Sequence, residues 1–309
     1  MCFADVMKGF PQRIFRLAAG TVLWWAALLP VFAQTNTPPS SVEIPLLERH
    51  GVLMVEAKVN GSKPLAFKLD TGFGVTTIHP DLIESLGLAR TGHTTILGIA
   101  GEEQADTYGG AVFDFGGMTY SPKRLAVLPS EGRRRGRQRD GILGASFFRR
   151  FVVELDVRKH QMRLYEPEGF RYEGKGEVLP LEFKKTTPIL EAAIVPEGRL
   201  ALPGKFEIDT GCDGGVCVAH EFVTANHLLD SAKSAAEDAR RGVGGSARTQ
   251  PGAVGELRLG NLVVKNPSAS YFLEGSPAGE GRAGHIGVEA LERFKVIFDY
   301  SRKQLILEQ

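Results

Sequence analysis

From about residue 45 onward the chain is written in short runs of alternating apolar and polar residues. Val55-Glu56-Ala57-Lys58-Val59 and Leu190-Glu191-Ala192-Ala193-Ile194 both have the period of two expected of a strand with one buried face. Turns at Asn60-Gly61-Ser62 and Pro196-Glu197-Gly198 then lead into Phe67-Lys68-Leu69 and Phe206-Glu207-Ile208, a second strand in each case. Further on, Phe151-Val152-Val153-Glu154-Leu155-Asp156 with Gln161-Met162-Arg163-Leu164-Tyr165 predicts a strand pair. Phe294-Lys295-Val296-Ile297-Phe298-Asp299 with Gln304-Leu305-Ile306-Leu307-Glu308 predicts another. The intervening stretches lack the helical period that crossover connections of a parallel α/β sheet require. Helices are expected only at 81–88, 221–229 and the Ala- and charge-rich 231–241. The pattern predicts a mostly β protein.

The paired runs recur in order at a nearly constant offset. Asp70-Thr71-Gly72 and Asp209-Thr210-Gly211 lie 139 residues apart, while Gly144 and Gly287, and Asp156 and Asp299, lie 143 apart. An ordered set of matches at one spacing sets the architecture more firmly than any single motif. It divides the chain into two similar lobes, 43–166 and 177–309, joined by a Gly- and charge-rich linker at 167–176.

Composition adds little beyond an ordinary globular chain. A formal net charge of +1 gives no case for nucleic acid or an anionic membrane as partner. The N-terminus is different. Lys8, Arg13 and Arg16 precede an uncharged stretch at 17–32, and Val31-Phe32-Ala33 places small residues where a signal peptidase cuts. Residues 1–33 are therefore expected to be a signal peptide, with Met7 an alternative start, and 34–42 a tether. A membrane anchor is the competing reading, but sixteen residues are short for a span. The expected location is periplasmic or extracellular, with no membrane attachment after cleavage. Cys212 and Cys217 remain in the exported part, either as a short-loop disulfide or as two free thiols.

Each Asp-Thr-Gly follows an apolar strand and opens a Gly turn. Two carboxylates presented in this way suit a reaction in which a water is made nucleophilic and a leaving nitrogen receives a proton. Adjacent carboxylates resist double ionisation and share one proton, so one acts as base while the other polarises the carbonyl. Gly72 and Gly211 permit tight backbone geometry beside each acid. Thr71 and Thr210 offer hydroxyl and N–H groups for a brace between the two loops.

Over roughly residues 45–309 the chain resembles the aspartic protease superfamily, and most of all the bacterial retropepsin-like aspartyl proteases with two fused halves. The resemblance rests on Leu69-Asp70-Thr71-Gly72, Ile208-Asp209-Thr210-Gly211, Ile142-Leu143-Gly144 and His285-Ile286-Gly287. It implies a bilobal acid-protease fold, pepsin- or retropepsin-like, with two pseudo-symmetric β-barrel-like lobes. It also implies Asp70 and Asp209 as the catalytic pair, with Thr71, Gly72, Thr210 and Gly211 supporting them. Gly98, Ile99, Ala100 and Gly101 in the first half, and Gly242, Val243 and Gly244 in the second, occupy the places of substrate-covering flaps; the other reading is ordinary Gly hairpin tips. Asp213 corresponds to a position that contacts substrate backbone, or else is a solvated loop carboxylate.

The family's activity is peptide hydrolysis by a dyad-activated water, without metal or organic cofactor, on a peptide or protein substrate. Fusion of the halves implies a self-sufficient monomer. The alternative is a catalytically inactive peptide-binding or partner-binding protein of the same fold.

Three positions depart from the family. Phe73 and Cys212 follow the tripeptides where Ser, Thr or Ala is usual, and Phe73 is bulky enough to crowd the site. Losing a hydroxyl donor there should move the active pH range upward. His285 replaces an apolar residue and needs a partner. Elsewhere, the basic run at 133–139 reads as a solvated loop tip, an acidic-partner site or a processing site. The His residues show no metal-ligand spacing, no Gly-x-Ser-x-Gly elbow is present, and no phosphate loop is present.

Overall fold

The structure is a computed structural model that describes residues 40–49, 51–98, 101–129, 139–229, 238–243, 245–274 and 281–309. The signal peptide expected at 1–33 and the tether up to residue 39 lie outside these, as do all but Arg139 of the basic run. Ser41 and Val42, assigned to the tether from sequence, instead begin the strand Ser41–Pro45, which pairs with Gln161–Tyr165.

Among the described residues the chain forms two curled sheets, one per lobe, and a third sheet shared between them. In the first lobe the strand order is Ala89–Gly98, Gly101–Gly109, Leu125–Val127, Thr77–Ile78, Gly141–Leu143, Leu65–Leu69, Val52–Val59, Phe113–Asp114 and Thr119–Tyr120. In the second it is Asp238–Gly242, Gly245–Ala253, Ser268–Phe272, Val216–Val218, Gly284–Ile286, Leu202–Ile208, Thr187–Val195, Glu256–Leu259 and Leu262–Lys265. The two orders correspond strand for strand. Period two explains the inner faces: in Leu65–Leu69 the alternate residues Leu65, Phe67 and Leu69 are buried.

In each lobe the strand before Asp-Thr-Gly lies parallel to the strand that ends the lobe's sheet. Leu65–Leu69 pairs with Gly141–Leu143, and Leu202–Ile208 with Gly284–Ile286. A one-turn helix follows each, Ala145–Phe148 and Val288–Leu291, and a strand pair then enters the shared sheet. That sheet runs Ser41–Pro45, Gln161–Tyr165, Val152–Asp156, Lys295–Asp299, Gln304–Glu308 and Glu177–Pro180. Its two central strands, one from each lobe, are antiparallel, with Val153 opposite Phe298 and Leu155 opposite Val296. The recurrent Asp has a local cause: Asp156 accepts from Lys159 N–H at 3.2 Å and Asp299 from Arg302 N–H at 3.1 Å, shaping matching turns.

Phe67, Phe113, Phe147, Phe148 and Phe151 are fully buried and pack mainly edge to face, which anchors the first lobe behind its Asp loop. Burying one such ring contributes about 1.5–3 kcal/mol. The linker is also pinned. Phe170 packs with Val152, Ile297 and Ile306, and Arg302 Nη2 donates to the carbonyls of Pro167 and Phe170.

Two of the three expected helices are present in shortened form. At 81–88 there is a 3-10 turn, Pro80–Leu82, and at 221–229 the helix His220–Ala225. The third differs: 231–237 lie outside the described residues, and 238–241 belong to the strand Asp238–Gly242. Pairing with Gly245–Ala253 overrides the helical propensity of that segment. Among the described residues no helix is long and apolar enough to cross a membrane.

Candidate active site

The two Asp-Thr-Gly turns meet between the lobes. Asp70 N–H donates to Leu143 O at 3.1 Å, and Phe73 N–H closes the turn on Asp70 O at 3.2 Å. In the second lobe Asp209 N–H donates to Ile286 O at 3.0 Å, and Cys212 N–H to Asp209 O at 3.1 Å. Each loop therefore hangs on the strand that lies parallel behind it. Gly144 and Gly287 let the following helices approach: Ala145 N–H reaches Phe73 O at 2.7 Å and Val288 N–H reaches Cys212 O at 2.8 Å.

The loops are tied reciprocally. Thr71 N–H donates to Thr210 Oγ1 and Thr210 N–H to Thr71 Oγ1, both at 3.0 Å, and Thr71 Oγ1 donates to Ile208 O at 2.6 Å. Thr71 and Thr210 are buried, so these bonds are shielded from competing water. Each acid rests over the glycine of the opposite loop. A Cβ added to Gly72 would stand 2.7 Å from Asp209 Oδ1, and one added to Gly211 would collide with the Asp70 carboxyl, Oδ1 at 2.5 Å. The absence of side chains at Gly72 and Gly211 leaves room for each acid over the opposite loop, close enough for the Asp209 charge to act on Asp70. Both are nearly buried, with side-chain exposures of 12% and 14%.

The surroundings of the two acids differ. Lys68 Nζ lies 3.1 Å from Asp70 Oδ2 and donates to Gly211 O at 2.8 Å. Asp209 accepts from Gly211 N–H at 2.8 Å on Oδ1 and from His285 Nδ1 at 2.9 Å on Oδ2. Behind His285, its Nε2 is 3.7 Å from Glu207 Oε2, which takes a 2.6 Å bond from Arg282 Nη1. Strand register explains this: Glu207 lies opposite His285, whereas in the first lobe Lys68 lies opposite Ile142.

Burial lifts the Asp70 carboxyl above the ordinary range; Lys68 opposes the shift, and the Asp209 charge and hydrogen bond add to it. Burial would lift Asp209 as well, but the His285 hydrogen bond and charge, with Lys68 and the Gly211 N–H, bring it down to about 2. Burial disfavours charge on His285, yet Glu207 and Asp209 raise it to about 10. Glu207 itself is pushed up to about 7, first by burial and then by the nearby Asp charges, against His285 and Arg282. The pair is thus polarised, with an ionised Asp209 beside a more basic Asp70.

The surroundings of Asp209 add a donor that the residues flanking the tripeptide do not supply. The missing hydroxyl at Phe73 and Cys212 predicts an active pH range moved upward through less readily ionised carboxyls. Asp209 goes the other way because His285 supplies the missing donor, and a charge with it. His285 was noted from sequence only as a polar residue in need of a partner. Lys68, Glu207 and Arg282 were not identified. Lys68 and Glu207 were findable, since each stands two residues before its Asp on the same strand face.

Gly98 and Gly101 face each other at the tip of the first-lobe hairpin, and Gly242 with Gly245 at the tip of the second. Ile99, Ala100 and Gly244 lie outside the described residues. The tips touch: a Cβ on Gly98 would come within 2.5 Å of Val243 Cβ. Phe73 packs with Val75, Ile96 and Val243 onto Ala105, Ala126 and Leu128. Asp213 is held by Arg240 Nη1 at 2.6 Å, and the same guanidinium bonds Ser270 Oγ. Cys212 and Cys217 are unlinked, with their sulfurs 3.2 Å apart. A cavity of about 370 Å³ on the shared sheet, lined by Glu154, Tyr165, Tyr172 and Lys295 among others, contains none of these residues. Its side chains bond largely to one another, as in Tyr165 Oη donating to Glu154 at 2.8 Å. No cluster of His, Cys, Asp and Glu among the described residues is arranged to hold a metal ion.

Residues 55–147 match the model of a family described as aspartyl protease. No curated protein sequence matches the chain. Among solved structures it is similar to the aspartic proteinase from Irpex lacteus, with a TM-score of 0.59 and 13% identity over 87% of this chain and 97% of that one. The first lobe thus carries the sequence pattern of the aspartyl protease family, and the described chain has the bilobal acid-protease fold.

Proposed function

We propose that this protein is an aspartic endopeptidase in which Asp70 and Asp209 activate one water between the lobes. The observation that carries this is the reciprocal brace through Thr71 and Thr210, which holds two nearly buried carboxyls side by side with opposite titration tendencies. Asp209, ionised, takes a proton from the water as its oxygen attacks the peptide carbonyl. Asp70, protonated, donates its hydrogen bond to the carbonyl oxygen. Collapse of the tetrahedral intermediate breaks the C–N bond as the amine nitrogen takes up a proton from the pair. The hairpin tips at Gly98 and Val243 must part to admit a peptide. Export after removal of 1–33 and action as a monomer complete the proposal.

One contact favours a second reading. Lys68 stands 3.1 Å from the acid that must carry the proton, which suits an ionised Asp70 and a non-catalytic peptide-binding protein. Digestion of casein and a peptide library by wild type, Asp70→Asn and Asp209→Asn separates the two. Cleavage lost in both variants supports the protease; no cleavage by wild type, or equal cleavage by all three, refutes it.

A further inference from the structure

The two acids have unlike partners, and the difference runs deep into the second lobe. A chain of alternating charge extends from Asp209 through His285 and Glu207 to Arg282, at 2.9, 3.7 and 2.6 Å. His285, Glu207 and Arg282 are almost inaccessible, so water contributes little screening. Among the described residues the first lobe has no counterpart: the register partner of Lys68 is Ile142. We propose that His285 is a positioning residue for Asp209: its imidazolium, clamped between Asp209 and Glu207, keeps Asp209 as the ionised member and leaves the shared proton on Asp70. The fold would then assign base and acid before substrate arrives. This rests on the protease reading of the pair and adds to it a residue that acts through Asp209 without touching substrate.

The geometry restricts what else His285 can do. Nδ1 is committed to Asp209 Oδ2, and Nε2 is buried with no hydrogen-bond partner, pointing at the Glu207 carboxylate beyond bonding distance. With Glu207 ionised, a neutral ring with Nε2 as acceptor would set a lone pair against that carboxylate, whereas a doubly protonated ring presents N–H to both acids. The groups that face the ring give the same answer. From its own lobe these are Asp209, Glu207, Arg282 and the Cys212–Cys217 pair, Cys217 lying opposite it in the sheet. Asp70 and Lys68 lie across the lobe boundary, and Tyr300 is near the same acids. Arg282 bonds the same Glu207 oxygen that Nε2 faces. The upward pull of Glu207 and Asp209 on the imidazole agrees with the charged form.

Asn is the informative replacement, because its amide N–H can take the place of Nδ1–H and only the charge is lost. For His285→Asn, kcat/KM for a cleaved peptide should show an acid limb moved upward by at least about one pH unit, equivalent to a tenfold loss on the acid side. The alkaline limb should move much less. A second measurement needs no turnover: ¹⁵N NMR of the His285 ring in the full exported chain should show both nitrogens protonated at pH 7. In Asp209→Asn the ring should titrate at lower pH than in wild type. An unshifted acid limb in folded His285→Asn, or a neutral His285 ring in wild type at pH 7, overturns the inference. If Asp70→Asn and Asp209→Asn are inactive while His285→Asn keeps the wild-type profile, this assignment fails and the protease reading stands. If those Asn variants cleave like wild type, the protease reading fails, and the NMR result still decides the charge of His285.

Discussion

Replacing Gly211 by Ala tests whether the position of the Asp70 carboxyl matters for turnover. The new Cβ would stand 2.5 Å from Asp70 Oδ1, where real Cβ contacts do not fall below 3.0 Å, a shortfall of at least 3.0 − 2.5 = 0.5 Å. Backbone strain does not contribute, since Gly211 is not among the positive-φ glycines. Thr210 is locked by its brace and the acid by Lys68, so the carboxyl must be displaced or the loops must part. Displacement of reacting groups by about 1 Å costs on the order of 10²-fold in rate, and kcat/KM for a cleaved peptide should fall by that order. Overpacking should also cost about 1–3 kcal/mol. At about 2–4 °C per kcal/mol for a chain of this kind, thermal unfolding shifts visibly while the protein still folds. Gly72→Ala meets Asp209 Oδ1 at 2.7 Å, a smaller shortfall of 0.3 Å, and should be milder. Gly169→Ala, whose nearest neighbour is Glu166 O at 3.9 Å, is the control and should leave both measurements unchanged. Wild-type kcat/KM in Gly211→Ala, or losses of the same size in Gly169→Ala, would show that the position of the Asp70 carboxyl does not control turnover.

Thr71→Val should be more destabilising than Thr210→Val. The first leaves both Thr210 N–H and Ile208 O without the Thr71 hydroxyl, the second leaves Thr71 N–H without its acceptor, and each stranded buried group costs about 1–3 kcal/mol. Denaturant unfolding gives the order, and a reversed order contradicts the account of the brace. The Asp209–His285 pair also makes stability depend on pH. Asp209, lowered to about 2, contributes stability that is present above its unfolded value and lost as pH falls toward 2. His285, raised to about 10, contributes stability that is complete below its unfolded value and lost as pH rises through 10. The melting-temperature gap between wild type and His285→Asn should therefore be widest from about pH 4 to 6.5 and narrow on either side; a gap independent of pH speaks against the pair. The Cys212 thiol is raised by its contact with Cys217 and by burial, so alkylation of the native chain at pH 7 should be at least about tenfold slower than that of free cysteine. Equal rates would show that the thiols are not held as described.

Local patterns were legible where neighbouring residues determine them. Phe67-Lys68-Leu69 before Asp70 reads as a half-buried strand because alternate side chains enter the core, and the Gly turns follow from the residues themselves. The surroundings of the acids were not legible, because they depend on register between strands distant in sequence. Glu207 meets His285 only because Leu202–Ile208 lies parallel to Gly284–Ile286, and one residue of slip would remove the contact. The segment 238–241 was misread for a related reason: its Ala and charge suit a helix, but the partner strand Gly245–Ala253 lies just beyond and pairing decides the outcome. The donor to Asp209 was not legible beside the tripeptide, because it comes from a residue 76 positions later.

In the proposed protease, Asp70 and Asp209 share one proton during peptide hydrolysis. The pH dependence of kcat/KM for wild type on a single cleavable peptide tests it most directly. A bell is expected, with an acid limb below the ordinary Asp range from Asp209 and an alkaline limb above that range from Asp70. A profile with one limb, or with no limb assignable to a carboxyl, would contradict it.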